Sequence, residues 1–135
     1  MTRDEFARLR SRLEKTQEEL SRLLGVSVRA VHSYEQGWRS VPVHVERQLL
    51  FLVARALAGK RSRKPCWTVT DCPTSVRNEC PAWEFRTGDL CWFISGTHCQ
   101  GKVQVNWREK MELCRSCEML RPLLEPDAPK RRQRK

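Results

Sequence analysis

Seven cysteines stand at positions 66, 72, 80, 91, 99, 114 and 117 of a 135-residue chain, and none precedes residue 66. Thiolates are soft ligands suited to zinc and to iron–sulfur clusters, and a close thiol pair can also exchange electrons as a disulfide. Between successive cysteines lie 5, 7, 10, 7, 14 and 2 residues. A structural zinc site usually carries two short Cys-x2–4-Cys knuckles, and only Cys114–Cys117 has that spacing. Iron–sulfur clusters accept irregular spacing, and a proline follows Cys72 and Cys80, as one follows a ligand cysteine in bacterial ferredoxins. The candidate metal ligands are therefore Cys66, Cys72, Cys80, Cys91, Cys99, Cys114 and Cys117. An iron–sulfur cluster is the expected cofactor and zinc the alternative. A module without metal, its spare thiols acting as small buried hydrophobes, stays open. His98, next to Cys99, is either a further donor or a surface histidine. The pairs Cys66-Trp67 and Cys91-Trp92 would set indoles beside such a centre and limit water there.

The surroundings favour metal over disulfides. Met1 leads directly into a charged, amphipathic stretch without the pattern of a signal peptide. No apolar run approaches the roughly 20 residues needed to span a bilayer. The expectation is a cytoplasmic protein with no membrane partner, and cytosolic thiols are kept reduced. Few aliphatic residues follow Cys66, so a metal would staple a module too small for a large core.

The elements that carry this module begin with helices. Thr2 and Glu5 form a capping box ahead of a first helix at about 2–14, whose inward stripe is Phe6, Leu9 and Leu13. Thr16 and Glu19 form a second box, followed by the apolar positions Leu20, Leu23 and Leu24. Gly25 falls where a helix must stop and turn. Ser27 caps a second helix that buries Val28 or Val31 with Tyr34 and ends near Gly37. Helix, Gly-containing turn, helix is the helix-turn-helix pattern. Pro42 suits the first turn of a further helix at about 43–57, with Val45, Leu49, Leu52, Val53 and Ala56 inward. A last helix is expected from Trp107 to about Leu120, with Cys114 and Cys117 on one face.

Net charge is +10, and its distribution is uneven. Residues 1–65 hold 14 Lys and Arg against 7 Asp and Glu, whereas residues 66–124 hold 7 of each. The excess thus lies on the helical part and on the tail, where a phosphate backbone would be met.

The string TQEELSRLLGVS, followed by YEQG, resembles the Cro/phage-repressor (XRE) family of helix-turn-helix regulators over about residues 3–57. The resemblance implies that the second helix of the motif enters the major groove of double-stranded DNA. It places base reading on Ser27, Val28, Arg29, His32 and Ser33. It gives phosphate contact to Gln17 and backbone contact to Trp38 and Arg39. Arg29 has the chemistry for the two acceptors of guanine, and Val28 either meets a thymine methyl or packs inward. The family usually binds as a homodimer. The LLFLVARAL segment is the candidate partner surface, with plain core as its alternative. The later pattern CW…CPAWEF…GDLCWFISGTHCQG…CRSC resembles a cysteine-rich module called the two-CW domain over about residues 65–120, which implies a sensory or structural role.

The expected architecture is an all-α helix-turn-helix domain (1–58), a basic linker (59–65), a small irregular cysteine-rich module ending in a helix (66–121), and a basic tail disordered by composition (122–135). The expected function is a bacterial transcriptional regulator whose metal centre senses redox state or metal. The alternatives are a DNA-binding protein with a purely structural zinc module and a Cys-x-x-Cys thiol-redox protein. The strand–helix context of such redox enzymes is missing. With no catalytic triad, phosphate loop or His-Glu-x-x-His string, no enzyme is expected.

Overall fold

The computed structural model describes residues 1–58, 64–99 and 102–125, and the fold is mostly helical. Residues 59–63 of the expected linker and 126–135 of the expected tail lie outside the described residues.

Four helices build the N-terminal part: α1 (Arg3–Arg12), α2 (Gln17–Leu24), α3 (Val28–Gln36) and α4 (Val43–Ala58). Their starts follow from local chemistry. The Thr2 hydroxyl accepts the Glu5 N–H at 3.1 Å, while the Thr2 N–H donates to the Glu5 carboxylate at 3.0 Å. Thr16 and Glu19 repeat the arrangement on α2, and the Ser27 hydroxyl accepts the Ala30 N–H on α3. Each box satisfies two backbone or side-chain donors that helix entry would otherwise leave open. Gly25 and Gly37 end α2 and α3 at φ of 67° and 76°, left-handed angles that favour a residue without Cβ.

Phe6 and Leu9 of α1, Leu20 and Leu24 of α2, and Val31 and Tyr34 of α3 are buried together. Phe6 meets Tyr34 edge-on at 5.5 Å. Leu23, expected in this stripe, is exposed, and so is Val28, which resolves the choice between Val28 and Val31 in favour of Val31. On α4 the buried residues are Val45, Leu49, Leu50, Val53 and Ala54. Leu52 is only half-buried and Ala56 is exposed, so the inward face is rotated from the expected one. The LLFLVARAL segment is therefore largely core. Its exposed Phe51 leans on Phe93 at 5.6 Å.

The second part is more regular than expected. It contains α5 (Cys66–Val69), α6 (Thr74–Arg77), α7 (Pro81–Glu84), a 3-10 turn at Cys91–Phe93, and an antiparallel pair, β1 (His98–Cys99) with β2 (Lys102–Val103). Helix α8 runs from Trp107 to Cys114 and α9 from Arg121 to Leu124. The last helix, expected to reach Leu120, thus ends at Cys114; turns follow to Leu120, with Cys117 in them, and α9 lies beyond the expected end. Residues 122–124 are not tail. Leu123 and Leu124 are buried where α9 packs on α1 and α4. Arg8 donates to the Leu124 carbonyl at 2.8 Å, and Arg12 to those of Pro122 and Leu123, closing the end of α9 with α1 side chains.

The two parts share one core. Arg115, just past α8, donates to Glu5 of α1 at 2.8 Å and to Glu46 of α4 at 3.0 Å. The Trp107 indole N–H donates to Glu46 at 3.3 Å. Arg47 of α4 donates to the Phe93 carbonyl and lies over the Phe93 and Trp107 rings. No helix among the described residues is long and apolar enough to cross a membrane.

Candidate functional site

Two features stand out: the outward face of α3 and a cavity in the cysteine-rich part. Helix α3 turns Ala30, Val31, Ser33 and Tyr34 inward, which leaves Val28, Arg29, His32 and Gln36 on the opposite side. Ser27 and Arg29 are exposed, His32 is half-buried, and no carboxylate belongs to this outward set. Trp38 is 71 % exposed and meets His32 edge-on at 5.4 Å. Arg39 is exposed beside it. Gln17 is half-buried. Its amide donates to Glu35 at 3.2 Å, and Glu35 is itself held by the Arg10 guanidinium.

Ser33 departs from the expectation. It is only 7 % exposed, between Ala30 and Tyr34 on the packed face, so its side chain is not available to an outside partner. Its carbonyl accepts the N–H of Trp38 at 3.0 Å and of Arg39, which fixes where those two side chains leave the helix. Gln36 shares the face of Arg29 and His32 and was missed. Its spacing, four residues after His32 and seven after Arg29, carries the signal.

The second feature is a cavity of about 270 Å³ lined by the sulfurs' own residues: Cys66, Cys72, Cys80, Cys91, Cys99, Cys114 and Cys117 all contribute. Elements spread over residues 66–117 bring them in. Cys66 opens α5, Cys80 precedes α7, Cys91 opens the 3-10 turn, Cys99 is on β1, and Cys114 ends α8. All seven are free thiols. Gly88 sets one wall, for its carbonyl accepts the Cys66 N–H at 2.8 Å. A Cβ on Gly88 would lie 2.5 Å from Pro65 and 2.7 Å from the Trp67 ring, so only glycine allows that approach.

Aromatic residues line the cavity, though not as the Cys-Trp pairs suggest. Trp67 does so, packed edge-on against Trp83 at 4.9 Å. Trp92 is instead buried in the core against Phe93 and Trp107. Trp83, which follows Cys80-Pro81-Ala82, takes the second place, with the Arg77 and Arg86 guanidinium groups over its ring at 4.4 and 4.1 Å. His98 also lines the cavity, and its backbone N–H donates to the Cys80 sulfur at 3.4 Å.

The thiols do not ionise alike. Cys91 donates its S–H to Cys66, which holds the Cys66 thiol below the usual range and, with burial, pushes Cys91 far above it. Burial raises Cys114 to about 11 and also raises Cys72 and Cys99. Lys110 of α8 is wholly buried, and its ammonium donates to the Thr97 hydroxyl at 2.6 Å. Its charge acts on Cys66, Cys99 and Cys114 in favour of their thiolates.

Among the described residues, no three His, Cys, Asp or Glu side chains are arranged to hold a metal ion. The donors available for a metal are the seven cavity thiols, gathered around one space and not drawn in to one point. Comparison with known proteins finds no match among family models, curated proteins or solved structures.

Proposed function

We propose that the protein is a bacterial transcriptional regulator that binds double-stranded DNA through α3 as a homodimer, with the cysteine-lined cavity as the seat of a metal centre that senses redox state or metal. One observation carries the DNA reading. The outward face of α3 presents Ser27, Val28, Arg29, His32 and Gln36 without a carboxylate, while Trp38 and Arg39 stand exposed just beyond it. A helix of nine residues with donors at its start fits the major groove. Gln17 keeps one amide hydrogen beyond its bond to Glu35 for a phosphate oxygen.

Coupling between the two features follows from α8. This helix ends in Cys114, at the cavity; its first residue Trp107 and the following Arg115 hold Glu46 of α4, Arg115 also holds Glu5 of α1, and α1 packs on α3. A change at the thiols that shifts α8 would alter how two copies of α3 are spaced on DNA.

The test is selection of bound duplexes from a random pool, followed by a binding assay on the winning sequence. Arg29→Ala is expected to weaken that sequence by about 10- to 100-fold, in keeping with roughly 1–3 kcal/mol for a good base contact, and to relax the preference at one base pair. Ser33→Ala is expected to leave the preference unchanged. No enriched sequence would end the reading. Equal affinity with the centre intact, oxidised and removed would end the sensory half alone.

A further inference from the structure

We infer that the cavity takes a polynuclear iron–sulfur cluster bound by four of its seven thiols, with Lys110 and Arg77 as the cations that balance its charge. The inference deepens the sensory half of the function proposed above, since it names the cofactor of that same cavity.

Distance comes first. Four thiolates bound to one zinc ion at about 2.3 Å stand only about 3.8 Å from one another, so a mononuclear site closes upon its ion. Here the cysteines surround about 270 Å³ and no three metal-binding side chains among the described residues converge on a single ion. Sulfurs that face one another across a gap need a core several atoms wide to bridge them. An iron–sulfur core, which takes four cysteine thiolates, is such a bridge.

Polarity comes next. Among the described residues no Asp or Glu lines the cavity, and its walls otherwise include Trp67, Trp83, Val76 and Leu113. Hard, oxygen-seeking cations would find no carboxylate there, whereas soft thiolates suit iron–sulfur and zinc. The N–H of His98 on the Cys80 sulfur is the kind of bond that stabilises a metal-bound thiolate.

Charge decides the matter. Lys110 is 0 % exposed, and among the described residues its ammonium has the Thr97 hydroxyl as partner and no carboxylate. An ammonium has three hydrogens to donate, and burying it without a nearby anion is expensive. Arg77, in the cavity wall, has a buried Nε with no hydrogen-bond partner among the described residues. Lys110, bonded to Thr97 of the cavity wall, and Arg77 in that wall bring two positive charges to one place, which suits an anion. Loading supplies one. When a dicationic iron–sulfur core binds four thiols, four S–H bonds break, four Fe–S bonds form and four protons leave. No electron moves, and the product is a dianion. Two cations bring it to neutrality.

The experiment uses the full chain, incubated without oxygen with ferric iron, inorganic sulfide and dithiothreitol, which supplies the electrons that a partly ferrous core needs, with zinc offered in parallel. Iron, acid-labile sulfide and zinc are then counted per chain, and the spin signal is recorded after reduction by dithionite, which gives the cluster one electron. Two or four irons with equal sulfide and a visible charge-transfer band are expected. Lys110→Met removes one positive charge beside the cluster, so at a fixed potential its ratio of reduced to oxidised cluster is expected to fall about tenfold, a shift of 59 mV for one electron. Lys110→Arg is expected to restore it. Should Lys110→Met fail to fold, Arg77→Gln, a partly exposed position, is expected to shift the ratio the same way.

A colourless chain that binds one zinc, or no metal, overturns the inference. An unchanged ratio in the folded lysine and arginine variants overturns the role of the cations. Iron and sulfide are counted without DNA, so a loaded chain that selects no duplex removes the regulator and keeps the cluster. A chain that selects DNA but holds no iron does the reverse.

Discussion

Glu46 is a carboxylate in the core, 6 % exposed, where an unpaired charge would be costly. It is tolerated because donors from both parts of the molecule reach it: the Arg115 guanidinium, the Trp107 indole N–H and, at 3.8 Å, the amino group of Met1. Arg115 in turn divides itself between Glu46 and Glu5. Glu46→Ala would strand the Trp107 N–H and half of the Arg115 fork. A loss of about 1–3 kcal/mol is expected, the usual size when a buried donor loses its partner. Urea unfolding of Glu46→Ala, Arg115→Ala and the double variant measures their coupling, expected at about 0.5–3 kcal/mol in the stabilising direction. Additive losses would mean that the pair does not join the two parts. Nothing in the sequence marks these partners, because they lie 69 residues apart and each looks like an ordinary surface charge.

At the scale of elements, what was legible was local. Thr2 with Glu5, Thr16 with Glu19, and Gly25 and Gly37 fixed helix starts and stops within a residue or two, since caps act over three or four positions. The face of α4 was harder. Residues 49–54 are apolar all round, so periodicity cannot choose a side, and packing selects Leu49, Leu50, Val53 and Ala54. The cavity was legible as a set of seven thiols but not as a shape, because its walls, α8 apart, come from turns and elements of four residues or fewer whose positions depend on tertiary contacts. Helix α9 is the plainest case. At four residues it has no periodic signal, yet Leu123 is fully buried against α1 and α4. It covers a side that four helices alone would leave open. Leu123→Ala is therefore expected to destabilise the whole chain by about 2–5 kcal/mol, the range for deleting a buried leucine side chain. A single unfolding transition that moves to lower denaturant, with the helical signal of the N-terminal part lost in it, is the expected result. Loss confined to the cysteine-rich part would show that the N-terminal helices close their core without α9.

Over the first 124 residues the charge excess and the thiols lie on different parts of the chain, and polar side chains join the two. Residues 1–65 carry the net +7 that a phosphate backbone would meet, and residues 66–124 are neutral. The joint between them includes a carboxylate whose titration can be followed. Burial alone would raise the Glu5 carboxyl, but the Thr2 N–H and the Arg115 guanidinium outweigh it and hold Glu5 below its ordinary value of 4.5. A carboxyl depressed in the folded state adds stability that is fully present above its ordinary value and is lost as pH falls through the folded one. The charges that act on Glu5 are those of Arg115 and the Met1 amino group. As pH falls past that ordinary value and through the lower folded one, the grip of Arg115 on α1 should loosen, and the effect is modest because Glu5 keeps contact with solvent, which screens it. Emission from Trp107, next to the same joint, should report it as an acid transition that is absent at neutral pH. Glu5→Gln, which cannot titrate, should lower stability at neutral pH and flatten that part of the acid limb. If the variant keeps the wild-type pH profile, the two ends are held together by their shared apolar core and not by the Arg115 fork.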